Sequence, residues 1–338
     1  MKAMVIARIA PVNDRSLELR ELPIPSPKPG EVRIRVKACG VCHTELDEIE
    51  GRLTPPTLPV VPGHQVVGVV EALGQGVTLH KLGDRVGVAW IFSACQSCAF
   101  CKKGLENLCP EAKFTGLDKN GGYAEFLVVP EGFAYLIPEC FGDLEAAPLL
   151  CAGVIGYRAL KLTNLEDGGV LGLFGFGASA HIVLPLAKHK FPNARVFVFT
   201  RPAQTEHQVL ARALGADWVG VTGDTPPSRL TAAIDFTPVG EPIKAALSVL
   251  EPSGRLVINA IRKETPIPEL DYASHLWKER EIKSVANVTR QDALEFLALA
   301  AAVRIRPSVN PVPLDAANEA LAALKKGSVK GAMVLRIG

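Results

Sequence analysis

The pattern of apolar and polar positions changes near residue 150. Before it, short strand-like runs such as VRIRVKA (32–38), VVGVVEAL (66–73), DRVGVAW (84–90) and AEFLVV (124–129) are separated by prolines and glycines. Few stretches here carry the 3.6-residue period of a long helix, so the region predicts a mostly β domain. The segment LPIPSPKPGE (22–31), with four prolines and a glycine, predicts a loop. From about residue 152 to 289, apolar strands alternate with helical stretches: VLGLFGFG, a helix over about 178–190, RVFVFT, a helix over about 204–214, AIDF, a helix over about 241–250, RLVINAI and IKSVANV. That alternation predicts a parallel, doubly wound sheet. The tail carries helices over about 291–303 and 315–325 and a last strand, AMVLRI. No internal repeat or low-complexity segment interrupts this order.

Composition adds bounds. With 338 residues and 48% apolar content, the chain can build two cores. No apolar run approaches the roughly 18 residues of a membrane span. The opening MKAMVIARIAPVNDRS lacks the apolar stretch of a signal peptide, so a cytoplasmic location is expected. The 37 basic and 35 acidic residues give a formal charge of +2. Nothing in that balance points to nucleic acid or a membrane surface, and Lys102–Lys103 and Lys325–Lys326 are expected to be solvated.

The cysteines carry the chemistry. Cys95, Cys98, Cys101 and Cys109 lie in one run, CQSCAFCKKGLENLC, with C-x2-C-x2-C-x7-C spacing. Short gaps let several thiolates converge from one loop, and a zinc ion held by four cysteines has no position left for substrate. The run predicts a structural zinc lobe; the competing readings are disulfides or buried free thiols. An open site needs about three protein ligands, and candidates lie in CGVCHTELD (39–47), PGHQVVGVVEALGQGV (62–77) and LLCAGVIGYRAL (149–160). Spacing alone does not join residues so far apart. A lone histidine such as His64 is more often structural than a ligand.

The turn GVLGLFGFGASAHIV contains G-x-G-x-x-A between an apolar strand and a helix. Gly175 suits the tight turn and Gly177 lets backbone approach a pyrophosphate at the helix N-terminus. Ala180 allows close helix–sheet packing. In this βαβ context the run predicts a dinucleotide site; alone it would be an ordinary strand–helix turn. The next strand ends at Thr200 and Arg201, with no carboxylate to accept from a ribose 2′-hydroxyl. An arginine able to meet a 2′-phosphate favours NADP, with NAD open if Arg201 faces solvent.

These motifs together resemble the zinc-containing medium-chain alcohol dehydrogenases. GVCHT (40–44), GHQ-x2-G (63–68), GDRV (83–86), the four-cysteine lobe, GGYAEF (121–126) and GFG-x2-A (175–180) occur in the family's order and spacing. The resemblance implies an α/β protein: a GroES-like, mostly β catalytic domain over 1–151 and 290–338, discontinuous and carrying both zinc sites, and a Rossmann domain over 152–289. It implies two Zn²⁺ per chain, with Cys42, His64 and Cys151 holding the catalytic one and the four-cysteine lobe the structural one. Cys39 and Cys140 match no ligand position and are expected to be ordinary buried small residues. Thr44 would pass the substrate proton to the cofactor ribose, His43 would face the pyrophosphate, and Trp90 is either a substrate-pocket or a core aromatic. Lys330 would touch the cofactor phosphates or face solvent.

The implied activity is reversible hydride transfer between a small alcohol, aldehyde or ketone and NAD(P), in a homodimer or homotetramer. The alternative is a low-activity or non-catalytic member that keeps zinc and nucleotide as structure. Three positions depart from the family. Glu45 replaces the Asp that supports a ligand histidine, and can do so only if the backbone gives way by about a methylene. Asp47 replaces a relay histidine. Gln65 replaces the Glu after the ligand histidine and removes its charge.

Overall fold

The computed structural model describes residues 1–12, 15–327, 329 and 331–338. The chain divides into two compact units: Met1–Cys151 with Asn287–Gly338, and Ala152–Ala286. Lys330, expected at the cofactor phosphates, lies outside the described residues.

The first unit is built on a seven-stranded sheet. Its long strand, Glu31–Val41, pairs antiparallel with Val66–Leu73, Phe126–Pro130 and Ala332–Arg336. The last of these comes from the tail, where Leu335 sits opposite Cys39, so the C-terminal segment completes the sheet that the first residues begin. Alternation along Glu31–Val41 sends Val32, Ile34 and Val36 into a core with Met4, Ile6, Leu127, Phe133 and Leu335. Two small antiparallel sheets complete the unit, Lys2–Ile6 with Leu17–Glu21 and Ile91–Ser93 with Lys113–Phe114. The expected loop over 22–31 is irregular up to Gly30, its prolines withholding ladder donors.

The second unit carries six parallel strands. In order of appearance they are Val170–Phe174, Arg195–Thr200, Trp218–Val221, Leu230–Asp235, Leu250–Ile258 and Glu281–Ser284, and they lie 3-2-1-4-5-6 across the sheet. This is the doubly wound α/β order. Phe174 and Phe199 stack with ring centroids 4.2 Å apart, beside Leu230, Ile243 and Leu247 in the core. Helices cover the sheet at Ala180–Lys190, Thr205–Ala213 and Glu241–Val249. The crossover 222–229 carries none, since Gly223 and the pair Pro226–Pro227 withhold helix propensity and amide donors. The strand expected over IKSVANV stops at Ser284. A helix at Ala152–Leu162 follows Cys151 directly, and its small residues gave little sequence signal. No helix among the described residues is long and apolar enough to cross a membrane.

Glycine is required just before His64. Gly63 has φ +100°, and a Cβ there would overlap Tyr123 Cδ1 and lie 3.0 Å from Cys39 Sγ. Substituting Gly63→Ala should therefore cost about 2–4 kcal/mol, from left-handed strain plus overpacking. A lowered melting temperature and a reduced zinc content are the expected readouts; wild-type values for both would show that the turn relaxes freely.

Candidate functional site

Cys42 begins a short helix, His43–Ile49, by accepting the Thr44 N–H on its sulfur at 3.3 Å. Glu45, on the first turn, returns the arrangement: the Cys42 N–H donates to Glu45 Oε2 at 2.8 Å. This is a capping box with a thiol in place of a hydroxyl. The other carboxylate oxygen, Oε1, lies 2.5 Å from His64 Nδ1, and both side chains are almost wholly buried. The longer Glu45 thus reaches His64, the role expected of a shorter aspartate. Fixing Nδ1 leaves Nε2 as the donor atom, 3.7 Å from Cys42 Sγ. Cys151 closes the group from the turn that ends Ala147–Leu150.

Cys42 Sγ, His64 and Cys151 Sγ present ligand atoms within 4.8 Å of one another. A tetrahedral zinc with bonds of about 2.3 Å to sulfur and about 2.0 Å to nitrogen would place S and N roughly 3.5 Å apart, close to the spacing found. The residues fit that ion. Without it, a hydrogen bond with Cys151 and burial push the Cys42 thiol well up. Burial pushes His64 down, but the charges of Glu45 and Cys42 outweigh it and the net shift is up. Both ligands would release protons to a metal.

Cys95, Cys98, Cys101 and Cys109 form the second group within 4.8 Å. Backbone amides point at the sulfurs: Cys98 N–H to Cys95 at 3.3 Å, Cys101 N–H to Cys98 at 3.5 Å, and Glu111 N–H to Cys109 at 3.4 Å. Such donors stabilise thiolates. The Ser97 amide and hydroxyl and the Cys98 amide bring the Cys95 thiol down to about 6. Cys95 and Cys101 Sγ stand 3.9 Å apart, as two sulfurs on one zinc do and far beyond a disulfide bond.

The remaining expected residues fall as follows. Thr44 is buried beside Cys42, and His43 is exposed on the same helix. The Trp90 ring centroid lies 6.2 Å from that of His64 and 4.7 Å from that of Phe114, so the indole touches both the metal group and the packing behind it. Asp47 is buried and ion-paired to Arg52 at 2.5 Å, a structural partner that the relay reading did not foresee. Gln65 is buried, and a Cβ on Gly40 would sit 2.5 Å from its Oε1, so the amide lies flat on the strand that leads to Cys42. Cys39 is fully buried, whereas Cys140 is exposed in the turn after Pro138 and not buried as expected. Cys140 follows a proline and a charged residue at a strand end, where the chain has no core to enter.

In the second unit Gly175 turns with φ +82° and donates its N–H to Phe199 O at 2.8 Å. A Cβ on Gly177 would meet nothing within 4 Å, which leaves room above the turn for a ligand. Ala180 is buried at the start of its helix. The Thr200 hydroxyl faces inward, accepting from Gln208 Nε2 at 2.9 Å and donating to Arg201 O, while Arg201 is exposed. One residue that the sequence reading passed over is Glu48, wholly buried on the Cys42 helix. Its signal was a carboxylate among the residues facing the core.

The profile for the alcohol dehydrogenase GroES-like domain matches residues 28–139. The chain is 44% identical over its whole length to a probable alcohol dehydrogenase, AdhA, of Mycobacterium tuberculosis, covering 97% of that protein. It is 34% identical to an alcohol dehydrogenase of Geobacillus stearothermophilus, over 100% of this chain and 99% of the relative. A solved structure of a cinnamyl alcohol dehydrogenase from Sorghum bicolor superposes with a TM-score of 0.86 at 30% identity, covering 99% of this chain and 97% of that one. Similarity of this extent, end to end in sequence and in fold, makes the chain a member of the zinc-containing medium-chain alcohol dehydrogenase family of oxidoreductases.

Proposed function

We propose that this chain is a zinc-dependent alcohol dehydrogenase or carbonyl reductase, moving a hydride between a small alcohol and NAD(P)⁺. The observation that carries the reading is the trio Cys42, His64 and Cys151, with ligand atoms within 4.8 Å and Glu45 behind the histidine. Three donors leave one tetrahedral position for substrate, which the four-cysteine lobe does not. A zinc ion held there would supply Lewis acidity to the alcohol or carbonyl oxygen. Glu45 would hold the His64 tautomer through Nδ1–H. Thr44 would take the substrate hydroxyl proton and hand it to the cofactor ribose, as the resemblance implies. A nicotinamide held in the second unit would supply the hydride acceptor, so that the alcohol would be oxidised to an aldehyde or ketone, and in the reverse direction the hydride donor for a carbonyl. Trp90, close to His64, would bound the substrate. The turn at Gly175 and Gly177, with the helix N-terminus at Ala180, would receive the pyrophosphate. The family resemblance favours a homodimer or homotetramer.

Two observations favour the second reading, a weakly active member. Gln65 withholds a charge beside His64, and Asp47 is engaged by Arg52. Metal analysis with NADPH oxidation over a panel of aldehydes and ketones separates the two. A zinc-replete protein with no turnover on any of them favours the second.

Elemental analysis should find two zinc ions per chain. Cys42→Ser should lower that to one and abolish turnover with little change in folding. Cys98→Ser should depress stability far more than turnover per folded molecule, because structural zinc binding is coupled to folding. One zinc or none in wild type would count against both site assignments.

Cofactor choice rests on Arg201. A charge-assisted hydrogen bond to a 2′-phosphate contributes about 1.5–3 kcal/mol. That corresponds to roughly ten- to hundredfold in kcat/KM for NADPH over NADH. Arg201→Ala should remove most of this preference by weakening NADPH and leave NADH nearly unchanged. Steady-state kinetics with both cofactors decide it, and unchanged selectivity in the variant would sink the assignment.

A further inference from the structure

Four acidic residues lie along and just beyond one helix turn, Glu45, Asp47, Glu48 and Glu50, and three of them have a defined partner. Glu45 faces His64 and the Cys42 amide. Asp47 pairs with Arg52. Glu50 pairs with Arg52 and with Lys325 at 2.6 Å. Glu48 is different. It is 0% exposed, and neither carboxylate oxygen has a hydrogen-bond partner. Burying a carboxylate with neither hydrogen bonds nor a counter-charge costs several kcal/mol.

The charged groups that act most strongly on Glu48 are Glu45, His64, Cys42 and Asp47, and burial followed by the like charge of Glu45 pushes its carboxyl well up. Its carboxylate also acts on Cys39 and Tyr123, whose hydroxyl is buried and likewise without a hydrogen-bond partner. Glu48 therefore lies among the groups around Cys42 and His64. A divalent ion held by Cys42, His64 and Cys151 would bring a strong positive charge to this pocket. A nearby cation favours the ionised form of Glu48, and the carboxylate in turn attracts the ion through a low-dielectric interior, where the interaction is screened less than in water. Gln65, the residue after His64, brings no charge of its own.

We propose that Glu48 is a positioning residue that serves as the buried counter-charge of the metal at Cys42, His64 and Cys151, and that it sets how tightly and how long this chain retains that metal. The proposal rests on the metal-site reading above. It extends that reading to a side chain that makes no contact with the ion.

Zinc release from the holoprotein into a chelating dye tests it, with Cys42→Ser identifying which release phase belongs to this site. The four-cysteine site gives the second phase and serves as an internal control. Glu48→Gln keeps shape and removes charge; it should release the Cys42-site zinc about 10- to 100-fold faster, with the control phase unchanged, as loss of an outer partner typically does. Glu48→Asp, which keeps the charge, should stay within a few-fold of wild type. The zinc-free Glu48→Gln protein should melt no lower than zinc-free wild type, because no hydrogen bond is lost, while the rise in melting temperature on adding zinc should shrink. If Glu48→Gln does not fold, Glu48→Leu, apolar and of similar size, takes its place with the same expectation. Unchanged release of the Cys42-site zinc, or both phases speeding equally, would overturn the proposal. Wild-type protein that holds no zinc at this site would instead overturn the metal-site reading on which it depends.

Discussion

The two oxygens of the Glu45 carboxylate hold the metal group together. One takes the Cys42 amide and so starts the helix His43–Ile49; the other meets His64 Nδ1. Cys42 on a helix N-terminus and His64, 22 residues away on the loop after Gly63, are thereby fixed by one side chain. Ligand, cap and tautomer become a single interaction, and a shorter or longer carboxylate would have to give up one end of it. The burial of both Glu45 and His64 keeps the interaction away from water, where it is strongest.

Around this bridge the backbone is unusually close. Gly63 must be glycine because Tyr123 and Cys39 occupy the space of a Cβ, and Gly122 approaches Val66 and Cys39 in the same way. The two metal groups differ accordingly. One has the buried pair Glu45–His64 at its base and the Trp90 ring beside it; the other is a loop whose sulfurs are held by its own amides. The first suits chemistry that must exclude water, the second a staple for a segment with little core.

Much of this was legible in the chain. Period-2 runs and prolines gave the β unit, and the strand–helix alternation gave a parallel, doubly wound sheet, whose 3-2-1-4-5-6 order only the structure supplies. Cysteine spacing made the lobe visible because its ligands are local. Cys42, His64 and Cys151 could be grouped only through the family resemblance, since no local period links residues so far apart. What stayed hidden was side-chain reach and direction. Glu45 seemed too long for its place, yet its extra methylene is taken up by bonding back to the cap. Thr200 stood at the right strand end but turns its hydroxyl inward to Gln208. Asp47 answers to Arg52, and Cys140, assigned to the core, lies in an exposed turn. Each depends on which way a side chain points, and hydrophobic pattern does not encode that at chain turns.

The amides that hold the lobe's sulfurs also determine what happens there if the metal is lost. They keep Cys95 near a pKa of about 6, so at neutral pH it stays a thiolate with Cys101 only 3.9 Å away. A thiolate is the form that oxidants attack, and a neighbouring thiol resolves the product into a disulfide. A zinc ion held by this loop would therefore also shield it chemically. Chelation and oxidation damage to this protein would not be independent: the first exposes a dithiol preset for the second, and re-adding metal would restore the fold only before that bond had closed.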